Sequence, residues 1–190
     1  MSKILCFIGD GEGKTCAAIG HAVRAAGREK KVAILQFLKG DDTTGEYRYF
    51  CRGGSRPASA VSDGIEIFLV GDKTFVLDTA PKDVHIKKAK EGLAAAKEMI
   101  ASGKYFLIVL DEILDAVAAG LLSMDDLIKL IDSIRAGNVG AIHELPLPNL
   151  ILTGRVLPPE LSTKVDLITR MQKIKHYYDK GEKGIEGLDR

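Results

Sequence analysis

The segment Gly9-Asp10-Gly11-Glu12-Gly13-Lys14-Thr15 constrains this chain more than any other. It follows an apolar run, Ile4 to Ile8, that ends at glycine, as expected of a strand buried on both faces. It precedes Thr15 to Ala26, where Ala18, Ile19, Ala22, Val23 and Ala26 recur every three or four residues and predict an amphipathic helix. Ala17, Gly20 and Ala25 add small residues suited to close packing on a sheet, and Gly27 is a natural stop. Strand, glycine loop and helix in this order are the context of a phosphate-binding loop. Glycines let successive backbone N–H groups turn toward one anion. The helix brings its positive N-terminal end to the same point. Lys14 adds a mobile charge, and the Thr15 hydroxyl is placed to ligate Mg2+. Gly9, Asp10, Gly11, Glu12, Gly13, Lys14, Thr15 and Cys16 are therefore the expected ATP contacts.

The spacing carries a further clue. In the common pattern G-x-x-x-x-G-K-[ST] the first glycine would fall at Ile8. Here the nearest is Gly9, so the loop is one residue shorter and has an extra glycine at Gly11.

A second anionic element lies downstream. Leu107-Ile108-Val109-Leu110-Asp111-Glu112 is an apolar strand ending in two carboxylates. In phosphate-loop folds such a strand is expected beside the first, with its acid on Mg2+ directly or through water. The alternative is a helix cap, with Asp111 capping a helix that starts at Ile113.

Between and after these motifs, strands and helices alternate. Strands are expected at Val32 to Leu38, Ile65 to Val70, Tyr105 to Leu110, Leu150 to Thr153 and Val165 to Met171. Helices are expected over 82–102, with Val84, Leu93, Ala96, Met99 and Ile100 as the buried stripe, and over Met124 to Ala136, capped by Ser123. A turn or short helix is expected near Pro158-Pro159. Residues 39–64 read as a long functional loop with one helical turn. The polar tail from Gln172, with Gly181, Gly184 and Gly187, reads as a flexible flap, 172–190. The expected class is α/β: a mostly parallel sheet with helices on both faces, in one nucleotide-binding domain over 1–190.

Composition narrows the function. Lys plus Arg is 27 and Asp plus Glu 26, a net charge of +1, so no global field draws in nucleic acid or an anionic membrane. No apolar run approaches the ~20 residues of a membrane span, and the N-terminal apolar stretch is too short for a signal peptide. Three cysteines, Cys6, Cys16 and Cys51, form no paired spacing, and Cys6 and Cys16 read as small core residues. The expected compartment is a reducing cytoplasm.

Taken in order, several blocks resemble one family. They are the glycine loop with Lys14-Thr15; Arg24-Ala25-Ala26-Gly27; Gln36-Phe37-Leu38-Lys39-Gly40; Gly45-Glu46; and Leu110-Asp111-Glu112. Leu152-Thr153-Gly154-Arg155 with Pro158-Pro159-Glu160-Leu161, then Lys175-His176 and Gly184-Ile185-Glu186, complete the set. This set is similar to the P-loop class of ATP:corrinoid adenosyltransferases, which act on cob(I)alamin or cob(I)yrinic acid a,c-diamide. The short loop is itself a feature of that family. The resemblance implies a RecA-like fold and a homodimer. It implies that a cobalt(I) corrinoid attacks C5′ of ATP, forming a carbon–cobalt bond and expelling triphosphate. ATP lies reversed relative to ordinary P-loop enzymes, so that C5′ faces the corrin. The resemblance implies a flavoprotein as one possible reductant.

For the site, the resemblance implies Lys14 and Arg155 as catalytic cations. Thr15, Asp111 and Glu112 are then the Mg2+ residues, and Glu46, Phe75 and His176 further ligand contacts; from the residues alone, Glu46 reads equally as a solvated loop acid and His176 as an exposed tail histidine. One block departs. The family has an aromatic Gly-Phe-Thr-Trp segment after the third strand, whereas this chain has Gly71-Asp72-Lys73-Thr74-Phe75 and no Trp. Phe75 aligns with the Trp and Lys73 with the Phe. His85 and His143 show no metal-ligand spacing and read as structural, and His21 reads as a helix-surface or packing histidine. Two other functions fit parts of the pattern. One is a RecA-like ATPase in which Glu112 orients water. The other is a non-catalytic nucleotide or corrinoid sensor.

Overall fold

The computed structural model describes residues 2–51, 59–62, 64–73, 83–137, 146–182 and 184–188, and of 59–62 the backbone alone. Strand β1 (Ile4–Ile8) runs into the glycine loop and α1 (Lys14–Ala26). Then come β2 (Val32–Gln36), α2 (Gly45–Phe50), β3 (Ser59–Ser62), β4 (Ile65–Leu69) and α3 (Asp83–Ala101). They are followed by β5 (Leu107–Asp111), α4 (Ile113–Ala118), α5 (Met124–Arg135), β6 (Asn149–Gly154), α6 (Pro159–Ser162) and β7 (Leu167–Arg170). A 3-10 turn at Tyr177–Lys180 follows.

The strands form one sheet in the order β3-β4-β2-β5-β6-β1-β7. Every pairing is parallel except β3 with β4, which is antiparallel at the edge. The α/β class with a mostly parallel, helix-covered sheet is therefore what the chain adopts. Strand alternation sorts the apolar side chains onto two faces. Ile4, Cys6, Ile8, Leu35, Ile108, Leu110, Leu150 and Leu152 pack with α3, α4 and α5. Phe7, Val32, Ile34, Leu107, Val109 and Ile151 pack with α1 and α2.

Four expectations are corrected. First, β5 does not lie beside β1: β6 stands between them, paired in parallel with both. Second, the stretch read as a long loop with one helical turn holds that turn, α2, and also an unexpected edge strand, β3. Its apolar residues Tyr47 and Phe50 are buried, which the surrounding polar composition hid. Third, the buried helix stripes differ from those the periodicity implied. On α1 the buried residues are Ala18, Ala22 and Ala25, with Val23 exposed. On α3, His85, Ala89 and Gly92 join Leu93, Ala96 and Ile100 in the core while Val84 is exposed. Fourth, Cys16 and Gly20 face outward rather than into the core or sheet. Cys6 is buried as expected, which pushes its thiol up to about 12. No described helix is long and apolar enough to cross a membrane.

Two glycines of this region give opposite forecasts. Gly9 has φ 119°, and a Cβ there would collide with the Met171 carbonyl oxygen. Gly20 sits inside α1, and a Cβ there would meet nothing within 4 Å. Gly9→Ala should cost at least about 2 kcal/mol of unfolding free energy. Gly20→Ala should gain roughly 0.5–1 kcal/mol. Chemical denaturation of the two variants checks both signs.

Candidate functional site

The site lies at the carboxyl ends of the central parallel strands, where α/β sheets bind ligands. The loop leaves β1 with Gly9 at φ 119° and reaches α1 through Gly13 at φ 102°. The Gly9 N–H donates to the Arg155 carbonyl at 3.0 Å, and the Gly11 N–H to that of Met171 at 2.8 Å. Two strand exits, from β6 and β7, thus hold the loop. Lys14 folds back, its Nζ donating to the Gly11 carbonyl at 2.8 Å. The thirteen-residue α1 starts here with no acid in its first turn, so its positive end stays available to an anion.

Asp111, at the end of β5, is wholly buried. Its Oδ1 accepts from the hydroxyls of Thr15 at 2.9 Å and Thr153 at 2.8 Å. Its Oδ2 accepts from Gln36 Nε2 and Lys39 Nζ, each at 3.2 Å. Gln36 Nε2 and Lys39 Nζ also donate to Glu46 Oε1, at 2.9 and 3.0 Å. Asp111 is therefore not a helix cap. The residue before α4 is Glu112, in the left-handed region at φ 61°, its N–H donating to the Thr153 hydroxyl at 2.7 Å.

Burial pushes the Glu112 carboxyl up to about 7, and neighbouring Asp111 adds to the shift. For Lys39 burial alone would lower the pKa, but the carboxylates of Asp111, Glu112 and Glu46 outweigh it and raise it. Burial opposes ionisation of Glu46, yet Lys39 and the Gln36 hydrogen bond hold its carboxyl below the usual range.

The structure thus brings together Thr15, Asp111 and Glu46, with Glu112 next in chain. Sequence reasoning named those but gave no part to Gln36, Lys39 or Thr153. Their signal was a polar residue ending, or just following, a fully buried apolar strand, as in β2 (VAILQ) and the ILT of β6. Arg155 is exposed at the exit of β6; its N–H donates to Asp115 Oδ1 at 2.9 Å and its carbonyl holds Gly9. His176 lies on the opposite flank of the loop, Nε2 3.9 Å from Glu12 Oε2. There the segment after β7 turns back, and the Lys173 N–H donates to Asp10 Oδ1 at 3.2 Å. That bond, above all, lowers the Asp10 pKa. His21 stacks near Phe7, ring centroids 5.4 Å apart, and is a packing residue as expected. Phe75 and His143 fall outside the described residues.

The donors suit Mg2+. Thr15, Asp111, Glu112 and Glu46 offer only oxygen, the preference of a hard cation. Gln36 Oε1 is buried without a hydrogen-bond partner, an acceptor fitted to a water of a hydrated ion. Among the described residues no three His, Cys, Asp or Glu cluster closely enough to cage a metal. The arrangement fits an ion that brings waters and phosphate oxygens with it, as Mg2+ does.

Comparison with known proteins agrees with this geometry. The family model described as ATP:corrinoid adenosyltransferase BtuR/CobO/CobP matches residues 2–189. The "Corrinoid adenosyltransferase" of Escherichia coli (strain K12) is 31% identical over 187 residues, 98% of this chain and 84% of that protein. "Corrinoid adenosyltransferase CobA" of Salmonella typhimurium is 30% identical over 186 residues, 98% and 84% of the two chains. The Pseudomonas aeruginosa "Corrinoid adenosyltransferase" is 28% identical, covering 98% and 82%.

The raised Glu112 carboxyl sets a pH test. Between the ordinary 4.5 and about 7 the folded state keeps a proton that the unfolded state releases. Stability therefore falls as pH rises through that window. In metal-free protein, Glu112→Gln should raise the thermal midpoint relative to wild type at about pH 8, and much less at about pH 5. A difference of equal size at both pH values would contradict the assignment.

Proposed function

The chain belongs to the ATP:corrinoid adenosyltransferase family, and from that premise we propose how its residues carry the reaction. It is a corrinoid adenosyltransferase, with ATP and a corrinoid as substrates. The observation that carries the mechanism is the hydrogen-bonded set Thr15–Asp111–Thr153 beside a glycine loop at the start of α1. In the proposed reaction cobalt(I) of the corrinoid attacks C5′ of ATP. The cobalt–carbon bond forms, the C5′–oxygen bond breaks, and triphosphate leaves with the bonding electrons.

Cobalt(I) is already a strong nucleophile, so the chain need not supply a base. Its task is to orient ATP and to stabilise charge on the leaving group. The loop amides and the end of α1 face the polyphosphate. Lys14, released from the Gly11 carbonyl, swings to the phosphates, and Arg155 at the β6 exit supplies a second cation. Thr15 and Asp111, with Glu112 and Glu46 nearby, would hold Mg2+, whose charge would further neutralise the triphosphate. Asp10, Glu12 and Cys16 are proposed as further ATP contacts, and His176 and Phe75 as further ligand contacts. The enzyme is proposed to work as a cytoplasmic homodimer with a flavoprotein reductant.

The test is anaerobic incubation with ATP, Mg2+ and chemically reduced cobalamin. The visible spectrum should report a carbon–cobalt product, and phosphate analysis should find triphosphate rather than ADP. ATP that binds yet yields no such product under strong reduction would sink the proposal. Lys14→Ala should lower kcat/KM by roughly 10²–10³-fold in the same assay.

A further inference from the structure

Lys39 follows the end of β2 and reaches two carboxylates at once. Its ammonium lies 3.0 Å from Glu46 Oε1 and 3.2 Å from Asp111 Oδ2. The backbone that carries it is clamped. The Gly71 N–H donates to the Lys39 carbonyl at 3.0 Å. A Cβ on Gly40 would collide with the Asp72 backbone, so the two segments cross in close contact. The side chain is 19% exposed, and the Asp111 side chain 1%. This is a fixed cation, seated where two acids converge, and not a surface lysine that happens to pair.

Two carboxylates held this close, one of them cut off from water, would repel each other or capture a divalent cation. A lysine between them removes both tendencies. It also disfavours a second cation in the same place, since like charges in a partly buried site repel more strongly than in water. Building on the reading of the loop as an Mg2+–ATP site, we infer that Lys39 is the resident counter-cation of the Glu46–Asp111 pair. It keeps Asp111 oriented toward Thr15 and Thr153 and keeps divalent metal out until a triphosphate arrives. The triphosphate then contributes the negative charge that makes room for the metal. Lys39 is a positioning residue in this role, acting through Asp111 and Glu46. Gln36, which donates to the same two oxygens but carries no charge, orients the pair without balancing it.

The readout is Mn2+ binding to nucleotide-free protein, followed by electron paramagnetic resonance of the free ion. Wild type should bind Mn2+ no tighter than about 1 mM, and Lys39→Gln about tenfold tighter or more. Lys39→Arg keeps the charge and should behave as wild type. Micromolar binding by the wild type would overturn the inference, whether or not the Gln variant folds. So would unchanged affinity in a folded Lys39→Gln protein, or a gain in Lys39→Arg. A separate calorimetric titration of wild type with Mg2+–ATP distinguishes the two levels. Absence of ATP binding would remove the underlying reading itself. ATP binding with unaltered metal affinity in Lys39→Gln would remove the role of Lys39 alone.

Discussion

Asp111 has no exposed surface, so water cannot solvate its carboxylate. A buried charge of this kind survives only when hydrogen bonds replace its hydration. Four donors do so here: the hydroxyls of Thr15 and Thr153, the amide of Gln36 and the ammonium of Lys39. They come from α1, from β6, from the end of β2 and from the residues just after it. The carboxylate is therefore satisfied only when three strands are in register and the loop after β1 has delivered Thr15. Glu112 extends the same arrangement, since its left-handed backbone turns its N–H onto the hydroxyl that serves Asp111. Geometry at the site and stability of the sheet are in this sense one constraint.

The loop itself is held by backbone rather than by side chains. Gly9 and Gly11 donate to the carbonyls of Arg155 and Met171, and a Cβ at either glycine would collide with the Met171 backbone. Two loop N–H groups are thereby committed to the exits of β6 and β7 instead of facing outward to an anion. A loop one residue shorter has fewer free amides to offer an anion. The position of β7 at the sheet edge, hydrogen-bonded along β1, keeps Met171 in place.

Much of this was legible in the chain. Hydrophobic runs ending in glycine or acid marked β1 and β5, and helix periodicity marked α1, α3 and α5, because each follows from local burial. Lys14 and Thr15 could be named from one short loop, and Asp111 from its place at the end of an apolar strand. The insertion of β6 between β1 and β5 was not legible, since strand order depends on which faces pack together and leaves no local trace. The same holds for Tyr47 and Phe50: their burial under the sheet comes from tertiary packing against β3 and β4, inside a polar stretch. Lys39 and Gln36 stood in a recognisable block, yet their work depends on Glu46 and Asp111 meeting in space. Residues near in sequence announce themselves by pattern; partners brought together by the sheet do not.

The distribution of chemistry in the site matches what adenosyl transfer asks of a protein. Hydrolysis of ATP would call for a base directed at water. Among the described residues, no histidine takes part in the hydrogen bonds of Asp111: His21 is packed on Phe7, and His85 is buried near Asp72. What the residues around Asp111 do present is charge: cations at Lys39 and Lys14, set against carboxylates at Glu46, Asp111 and Glu112. A cobalt(I) nucleophile arrives with its electron pair already reactive, and the difficulty lies in accommodating the departing triphosphate. A scaffold that invests in fixed charge around Asp111 is suited to that division of labour.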